Sequence, residues 1–299
     1  MRALLADLTR FAGADANVLV VGETGAGKDL VARALHQSGS RQSHPFVVID
    51  CPGLAPSLLE SELFGHERGA FTDATTARAG RFEAAGRGTV YLDRVDELPL
   101  DSQGKLLRIV EQKQVERLGS GLSVPVHARV VASASEEIEQ AVREGQFRTD
   151  LFHRLRVLPL RVPPLRERHG DLRPLVATLL RGISASLDRP TPRVSDESFA
   201  LLEGHQWPGN VRELKHTLER ALMDDEDGVL SPDDLPGDLV SPVRVADGAA
   251  PERPTLEDLE RRYIAFVLRE TRGNQTRAAE ILGISRKALW EKRRRFGMN

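Results

Sequence analysis

The stretch GETGAGKD, residues 22 to 29, sets three glycines and a lysine between an apolar run, NVLVV (17 to 21), and a helical pattern from Lys28 to Gln37. G-x-x-x-x-G-K between a strand and a helix is a phosphate cradle. Gly22, Gly25 and Gly27 permit tight turns and close backbone approach, the loop N–H groups and the helix start face anionic phosphate, and Lys28 reaches the outer phosphates. Glu23, Thr24, Ala26 and Asp29 complete the loop. The hydroxyl that usually follows the lysine and holds Mg2+ is replaced by Asp29, so the carboxylate for the metal is sought elsewhere. TVYLD (89 to 93) supplies it as an apolar strand ending on Asp93. ATP and Mg2+ are the expected cofactors. The residue after Asp93 is Arg94, whose guanidinium is always protonated and cannot act as a general base.

A second chemistry lies at the other end. QTRAAEIL, the turn GIS and a last helix from Arg286 form a helix-turn-helix pattern with a dense basic run. The candidate contacts to double-stranded DNA are Gln275, Thr276, Ser285 and Lys292, with Arg286, Lys287 and Trp290 presented to the major groove. Arg293, Arg294 and Arg295 would lie on phosphate and set a salt dependence. A basic run alone is a solvated helix end, but the whole unit is poorly explained that way. Tyr263, Ile264, Phe266, Val267 and Leu268, on a helix over about 256 to 270, are expected to serve dimerisation as well as the core.

These sites need a frame. Short β-branched runs (17 to 21, 46 to 50, 89 to 93, 126 to 134) alternate with helical patterns (28 to 37, 57 to 63, 101 to 112). That alternation predicts an α/β fold, a parallel sheet with helices on both faces and ligands at the carboxyl ends of the strands. After PPLRER (163 to 168) strands are expected to stop, and helices over 171 to 183, 195 to 205 and 210 to 223 form a helical subdomain. The Pro-, Gly- and Ala-rich segment 241 to 254 reads as a linker.

Composition sets the limits. The 299 residues, 40% hydrophobic, suffice for about two domains. With 42 Lys and Arg against 44 Asp and Glu, overall charge names no partner, yet residues 255 to 299 carry a net +5 and leave −7 on the rest. The single cysteine, Cys51, excludes an internal disulfide and reads as a buried thiol after a strand. No apolar run approaches the roughly 18 residues of a membrane span, and MRALLADLTRF reads as an amphipathic helix, so a cytoplasmic protein without a membrane partner is expected. His66, His153 and His169 lack ligand spacing, and no metal beyond nucleotide-bound Mg2+ is expected.

Several phrases together carry a family resemblance: GETGAGKDLVARALH, ESELFGHERGAFTDA, GTVYLDRVDELP, GQFRTDLFHRL, VPPLRER and WPGNVREL. In order and spacing they resemble the AAA+ ATPase domain of bacterial enhancer-binding proteins, the activators of sigma-54 RNA polymerase, over about residues 1 to 240. The resemblance implies a homo-oligomer, from a dimer to a hexameric ring, with ATP between neighbours and hydrolysis that remodels the closed promoter complex. It places the phosphates on the Lys28 loop and Mg2+ on Asp93. Arg148 and Arg154 match arginines that reach a neighbour's γ-phosphate, and Arg212 matches the lid arginine over the nucleotide. Gly69, Ala70, Phe71, Thr72, Asp73 and Ala74 match the loop that contacts sigma-54. The tail NQTRAAEILGISRKALWEK is similar to the Fis-type DNA-binding domain. The implied layout is an AAA+ α/β subdomain over 1 to 168, a helical lid over 169 to 238, a linker over 239 to 254 and an all-α helix-turn-helix domain over 255 to 299.

The sequence departs from the family at four positions. Arg94 replaces the glutamate that orients the attacking water, Ser135 the sensor asparagine, Asp50 the asparagine that partners the glutamate, and Asp73 a loop glycine. An acid at 50 is suited to pair with Arg94, keeping a tie while losing the catalytic group. Asp96 or Glu97 would restore a carboxylate if the chain turned back toward the γ-phosphate. Two functions follow: a nucleotide-binding transcription regulator with impaired hydrolysis, or an active ATPase that opens sigma-54 promoters. An unrelated P-loop kinase would not explain the basic tail. The first strand lies so near residue 1 that no receiver or sensor domain is expected before it, and input would come from a partner, nucleotide level or expression.

Overall fold

A computed structural model describes residues 1–53, 55–71, 74–168, 170–225 and 228–240, then 260–261, 263–264, 267–268, 271 and 274–296. Two compact units divide the chain, residues 1–241 and 242–299.

In the first unit, five parallel strands run in the order Phe46–Asp50, Thr89–Asp93, Arg129–Ala134, Val18–Val21 and Leu158–Arg161. Arg129–Ala134 is buried along its whole length, as a central strand covered on both faces must be. On one face, Leu59, Leu63, Phe64, Leu106 and Leu151 pack against the sheet; on the other, Leu4, Leu8 and Phe11 join Val31 and Leu35. The first of these faces includes helix Pro56–Phe64 and helix Leu100–Gln112; the second includes the amphipathic helix Arg2–Ala12 and the phosphate-loop helix Lys28–Gln37. The edge strand Leu158–Arg161 was not foreseen, because its LPLR contains a proline and no β-branched residue. Its register with Val18–Val21 lets Pro159 take an edge position.

The helices Leu172–Ser186, Asp196–Gly204 and Asn210–Asp224 follow, with their own core of Val176, Leu180, Leu202, Trp207, Leu214 and Leu218. The expectation that strands stop after residue 168 needs correction: Arg193–Val194 and Val229–Leu230 pair in parallel, too short to register as a pattern. Two antiparallel hairpins, Gly65–His66 with Arg78–Ala79 and Gln114–Glu116 with Ser123–Pro125, also project from the main domain.

In the second unit, helices Gln275–Leu282 and Arg286–Arg295 pack around Ala278, Ala279 and Leu289, with Ile264 and Val267 in the same cluster. Ser285 caps the last helix, its hydroxyl accepting from the Ala288 N–H at 3.1 Å. Gly283 turns the chain in the left-handed region. The proposed linker at 241 to 254, Phe266 and the break at residues 272 and 273 lie outside the described residues. Among the described residues no helix is long and apolar enough to cross a membrane.

Candidate nucleotide site and DNA-binding unit

The phosphate loop joins the carboxyl end of Val18–Val21 to the helix Lys28–Gln37, whose first residue follows Gly27 with no side-chain cap. Gly25 and Gly27 adopt positive φ, and a Cβ on Gly25 would collide with the Gly209 carbonyl oxygen. Lys28 is buried and donates from Nζ to the Gly22 and Glu23 carbonyls, at 2.6 and 3.1 Å. Burial pushes its ammonium below the ordinary value, Asp93 and Asp96 oppose that, and Arg212 and Arg94 add to it. An incoming anion would favour the charged form. Cradle, lysine and uncapped helix start together fit a polyphosphate.

Asp93 closes its strand and accepts at Oδ1 from the Tyr91 hydroxyl at 2.9 Å and the Ser133 hydroxyl at 2.6 Å. Ser133 in turn accepts from the Arg94 N–H at 3.0 Å. Arg94 takes a left-handed backbone, φ 56°, at the start of a short 3-10 turn. Parallel register puts Asp50 opposite Asp93, so Asp50 and Arg94 meet: Nη2 donates to Asp50 Oδ1 at 2.8 Å. A second contact runs from Nη1 to Glu97 at 3.3 Å. Burial works against the Arg94 charge, but Asp50 and Glu97 hold its pKa above the ordinary value. The pairing expected from sequence is therefore formed. Of the two candidate rescue carboxylates, Glu97 is drawn to Arg94, and Asp96 is tied through Oδ2 to the Ser135 N–H at 2.9 Å. Asp96 Oδ1 is buried without a hydrogen-bond partner. Cys51 is a buried thiol, held protonated by burial with Asp93 and Asp50 nearby.

Asn210 of the helical subdomain, with Arg166 and Arg168 just before that subdomain, grips the same loop in roles the sequence did not reveal. Asn210 is fully buried and left-handed; its Nδ2 donates to Glu23 Oε2 at 2.9 Å and the Thr24 carbonyl at 3.1 Å, while its Oδ1 accepts from the Leu165 N–H at 2.7 Å. Arg166 forks onto both Glu23 oxygens, which with burial opposing holds that carboxyl below the ordinary range. Arg168 donates to the Ala26 carbonyl at 2.6 Å. These contacts cross up to 187 positions; the sequence signal was only that VPPLRER and WPGNVREL are among the phrases that carry the resemblance. Arg212 is exposed beside Thr24, Gly209 and Glu213 in a cavity of about 340 Å³.

The remaining expected residues sit apart from this cluster. Arg148 forks onto Asp150 at 3.1 and 2.8 Å, and Arg154 donates to Glu111 at 2.7 Å, so neither meets a phosphate-loop group. In the loop over 69 to 74, Gly69 and Ala74 close a turn at 2.8 Å and Phe71 is 42% exposed, its ring edge on His66. Thr72 and Asp73 lie outside the described residues. In the second unit Gln275, Thr276, Ser285, Arg286, Lys287 and Trp290 are exposed, as are Arg294 and Arg295. Lys292 is instead paired with Glu260, and Arg293 buries its Nε.

Residues 1–161 match the family described as the Sigma-54 interaction domain, 166–250 the AAA+ ATPase lid domain, and 255–296 the Fis family of bacterial regulatory proteins. The chain belongs to the sigma-54 interaction family. Among its relatives, the regulatory protein AtoC of Escherichia coli is 41% identical over 98% of this chain and 65% of its own length. The sigma54-dependent transcriptional activator SfnR of Pseudomonas putida is 39% identical over 95% of this chain and 83% of its own length. The chain thus spans less than two thirds of AtoC and most of SfnR. Solved structures of NtrX from Brucella abortus in complex with ADP and with ATP are each 33% identical, cover 99% of this chain and 68% of that one, and superpose with TM-scores of 0.75 and 0.76. The fold is therefore that of an AAA+ sigma-54 interaction domain followed by a Fis-type helix-turn-helix.

Proposed function

We propose that the protein is an ATP-binding, DNA-binding transcription regulator whose phosphate site is kept for binding while hydrolysis is impaired. The ion pair between Arg94 and Asp50 carries this reading. With or without that tether, Arg94 is a permanent cation where the resemblance places a water-orienting carboxylate, and a cation cannot accept the water's proton. The Lys28 loop would hold the phosphates and Asp93 the Mg2+, which supplies electrostatic neutralisation of the phosphate oxygens when bound. Asp93 is oriented for this by Tyr91 and Ser133. Arg212 would cover the nucleotide from the lid. Arg148 and Arg154 would reach a neighbouring subunit's nucleotide in a homo-oligomeric ring, and their present partners are exposed enough to exchange. The exposed face of the last helix would read DNA, and the loop around Phe71 would meet RNA polymerase carrying sigma-54. NtrX, bound to ADP and ATP in its structures, supports nucleotide binding here.

A second reading, an active ATPase that opens sigma-54 promoters, is favoured by Asp96, whose unpartnered Oδ1 is a carboxylate oxygen still free to orient water after a local turn. Phosphate release measured beside equilibrium binding of a labelled ATP analogue separates the two. Binding without release supports the first; release that Asp96→Asn abolishes supports the second.

A further inference from the structure

Arg94 does more than remove a base. We propose that it reads the terminal phosphate, so that the site distinguishes a nucleoside triphosphate from a diphosphate by affinity, with Asp50 holding the guanidinium when no triphosphate is bound. This rests on the reading of the loop at 22 to 29 as an ATP site.

Three observations carry it. The first is place. Arg94 directly follows Asp93 at the carboxyl end of its strand, and its N–H meets the Ser133 hydroxyl that also binds Asp93, so the guanidinium starts from the metal-binding end of the site. Arg94 and Lys28 are close enough for the charge of one to disfavour that of the other, with Asp93 acting on both.

The second is the weakness of the tether. Arg94 and Asp50 are 41% and 54% exposed, and the longer contact to Glu97 is also exposed at 49%. Ion pairs this open to water hold weakly, while a doubly charged phosphate accepting two parallel N–H bonds from a planar fork is a stronger partner. Exchange from carboxylate to phosphate is therefore downhill.

The third is local charge. Asp50, Asp93, Asp96 and Glu97 gather around the strand end, and Arg94 is the guanidinium bonded to two of them, with Lys28 and Arg212 also within electrostatic reach. A diphosphate can be satisfied by the loop and Lys28. A third phosphate adds negative charge beside these acids, and Arg94 neutralises it.

The test is equilibrium binding of a non-hydrolysable ATP analogue and of ADP, each with Mg2+, to the full chain, Arg94→Gln and Asp50→Asn. Because no hydrolysis is read, the result is independent of catalytic competence. The unaltered protein is expected to prefer the analogue by about tenfold or more, as one charge-assisted contact allows. Arg94→Gln should lose that preference while ADP affinity stays within about twofold. Asp50→Asn, which frees the guanidinium, should strengthen analogue binding and leave ADP unchanged. An unaltered analogue-to-ADP ratio in Arg94→Gln, or equal loss of both ligands, overturns the proposal while leaving the ATP site standing. Failure of the unaltered protein to bind either nucleotide would overturn the site reading and the proposal together.

Discussion

Arg94 and Asp50 close the carboxyl ends of two adjacent parallel strands and bond to each other at 2.8 Å. In the proposed reading each stands in place of another family residue and the exchange keeps the pairing, a carboxylate facing a guanidinium in place of a neutral amide facing a carboxylate. Reversing Arg94 alone to glutamate therefore creates a like-charge contact, whereas Asp50→Asn alone only frees the guanidinium.

This yields a prediction about single and double replacements. Arg94→Glu alone places a new carboxylate beside Asp50, Glu97 and Asp93, and should restore phosphate release poorly. Arg94→Glu with Asp50→Asn removes the repulsion and should release phosphate at least tenfold faster than the single variant, since about 1.4 kcal/mol of relief gives that factor. Equal rates in single and double variants would show that the two positions are not coupled.

The grip of the helical subdomain on the phosphate loop has a measurable cost when broken. Asn210→Ala strands the buried Leu165 N–H and removes the donors to Glu23 and Thr24. It should lower unfolding stability by about 2 kcal/mol, read from the urea midpoint, and weaken nucleotide binding as well. A loss below about 0.5 kcal/mol would mean that the loop holds its shape without the amide.

His36 gives a pH signature. It is buried, its Nδ1 lies 3.0 Å from the Thr89 hydroxyl, and burial pushes its pKa below the ordinary 6.5. The folded state thus resists a proton that the unfolded chain accepts. Stability from this residue is full above about pH 6.5, falls as pH drops below that value, and levels off below the folded pKa. His36→Asn, which can keep a hydrogen bond to Thr89, should show a shallower loss of stability between pH 7 and 5 than the unaltered protein. Parallel curves would contradict the assignment.

The DNA-binding helix offers a contrast within one basic run. Arg294 is exposed, whereas Lys292 is already tied to Glu260. Arg294→Ala should reduce the salt slope of DNA binding by about 1, and Lys292→Ala by less. Arg286→Ala should instead relax sequence preference, costing about 1 to 3 kcal/mol at its contacted base pair. A larger salt effect for Lys292 than for Arg294 would refute the division.

Much of this was legible in the sequence because it is local. The phosphate loop, the strand ending on Asp93 and the helix-turn-helix each occupy a single continuous stretch, where spacing and periodicity speak directly. The facing of Asp50 and Arg94 was readable because the family resemblance placed them at two positions that partner each other, and the parallel register of their strands brings them together. What escaped was tertiary. Asn210 reaching Glu23 across the domain leaves no periodic trace. The edge strand Leu158–Arg161 takes its conformation from its neighbour and not from propensity, and the pair Arg193–Val194 and Val229–Leu230 is too short for alternation to appear. The diversion of Lys292 to Glu260 likewise depends on packing that a count of charges does not contain.

In the proposed reading the site binds ATP with hydrolysis disarmed by Arg94. The most direct test of that reading is phosphate release from ATP by the unaltered protein and by the Arg94→Glu, Asp50→Asn double variant, each beside binding of a labelled analogue. Analogue binding is expected in both, weaker by about tenfold in the variant that lacks the Arg94 guanidinium, and sustained release at saturating ATP only in the variant. Release at an ordinary ATPase rate by the unaltered protein, abolished by Asp93→Ala, would contradict the reading and pass the water-orienting role to another group.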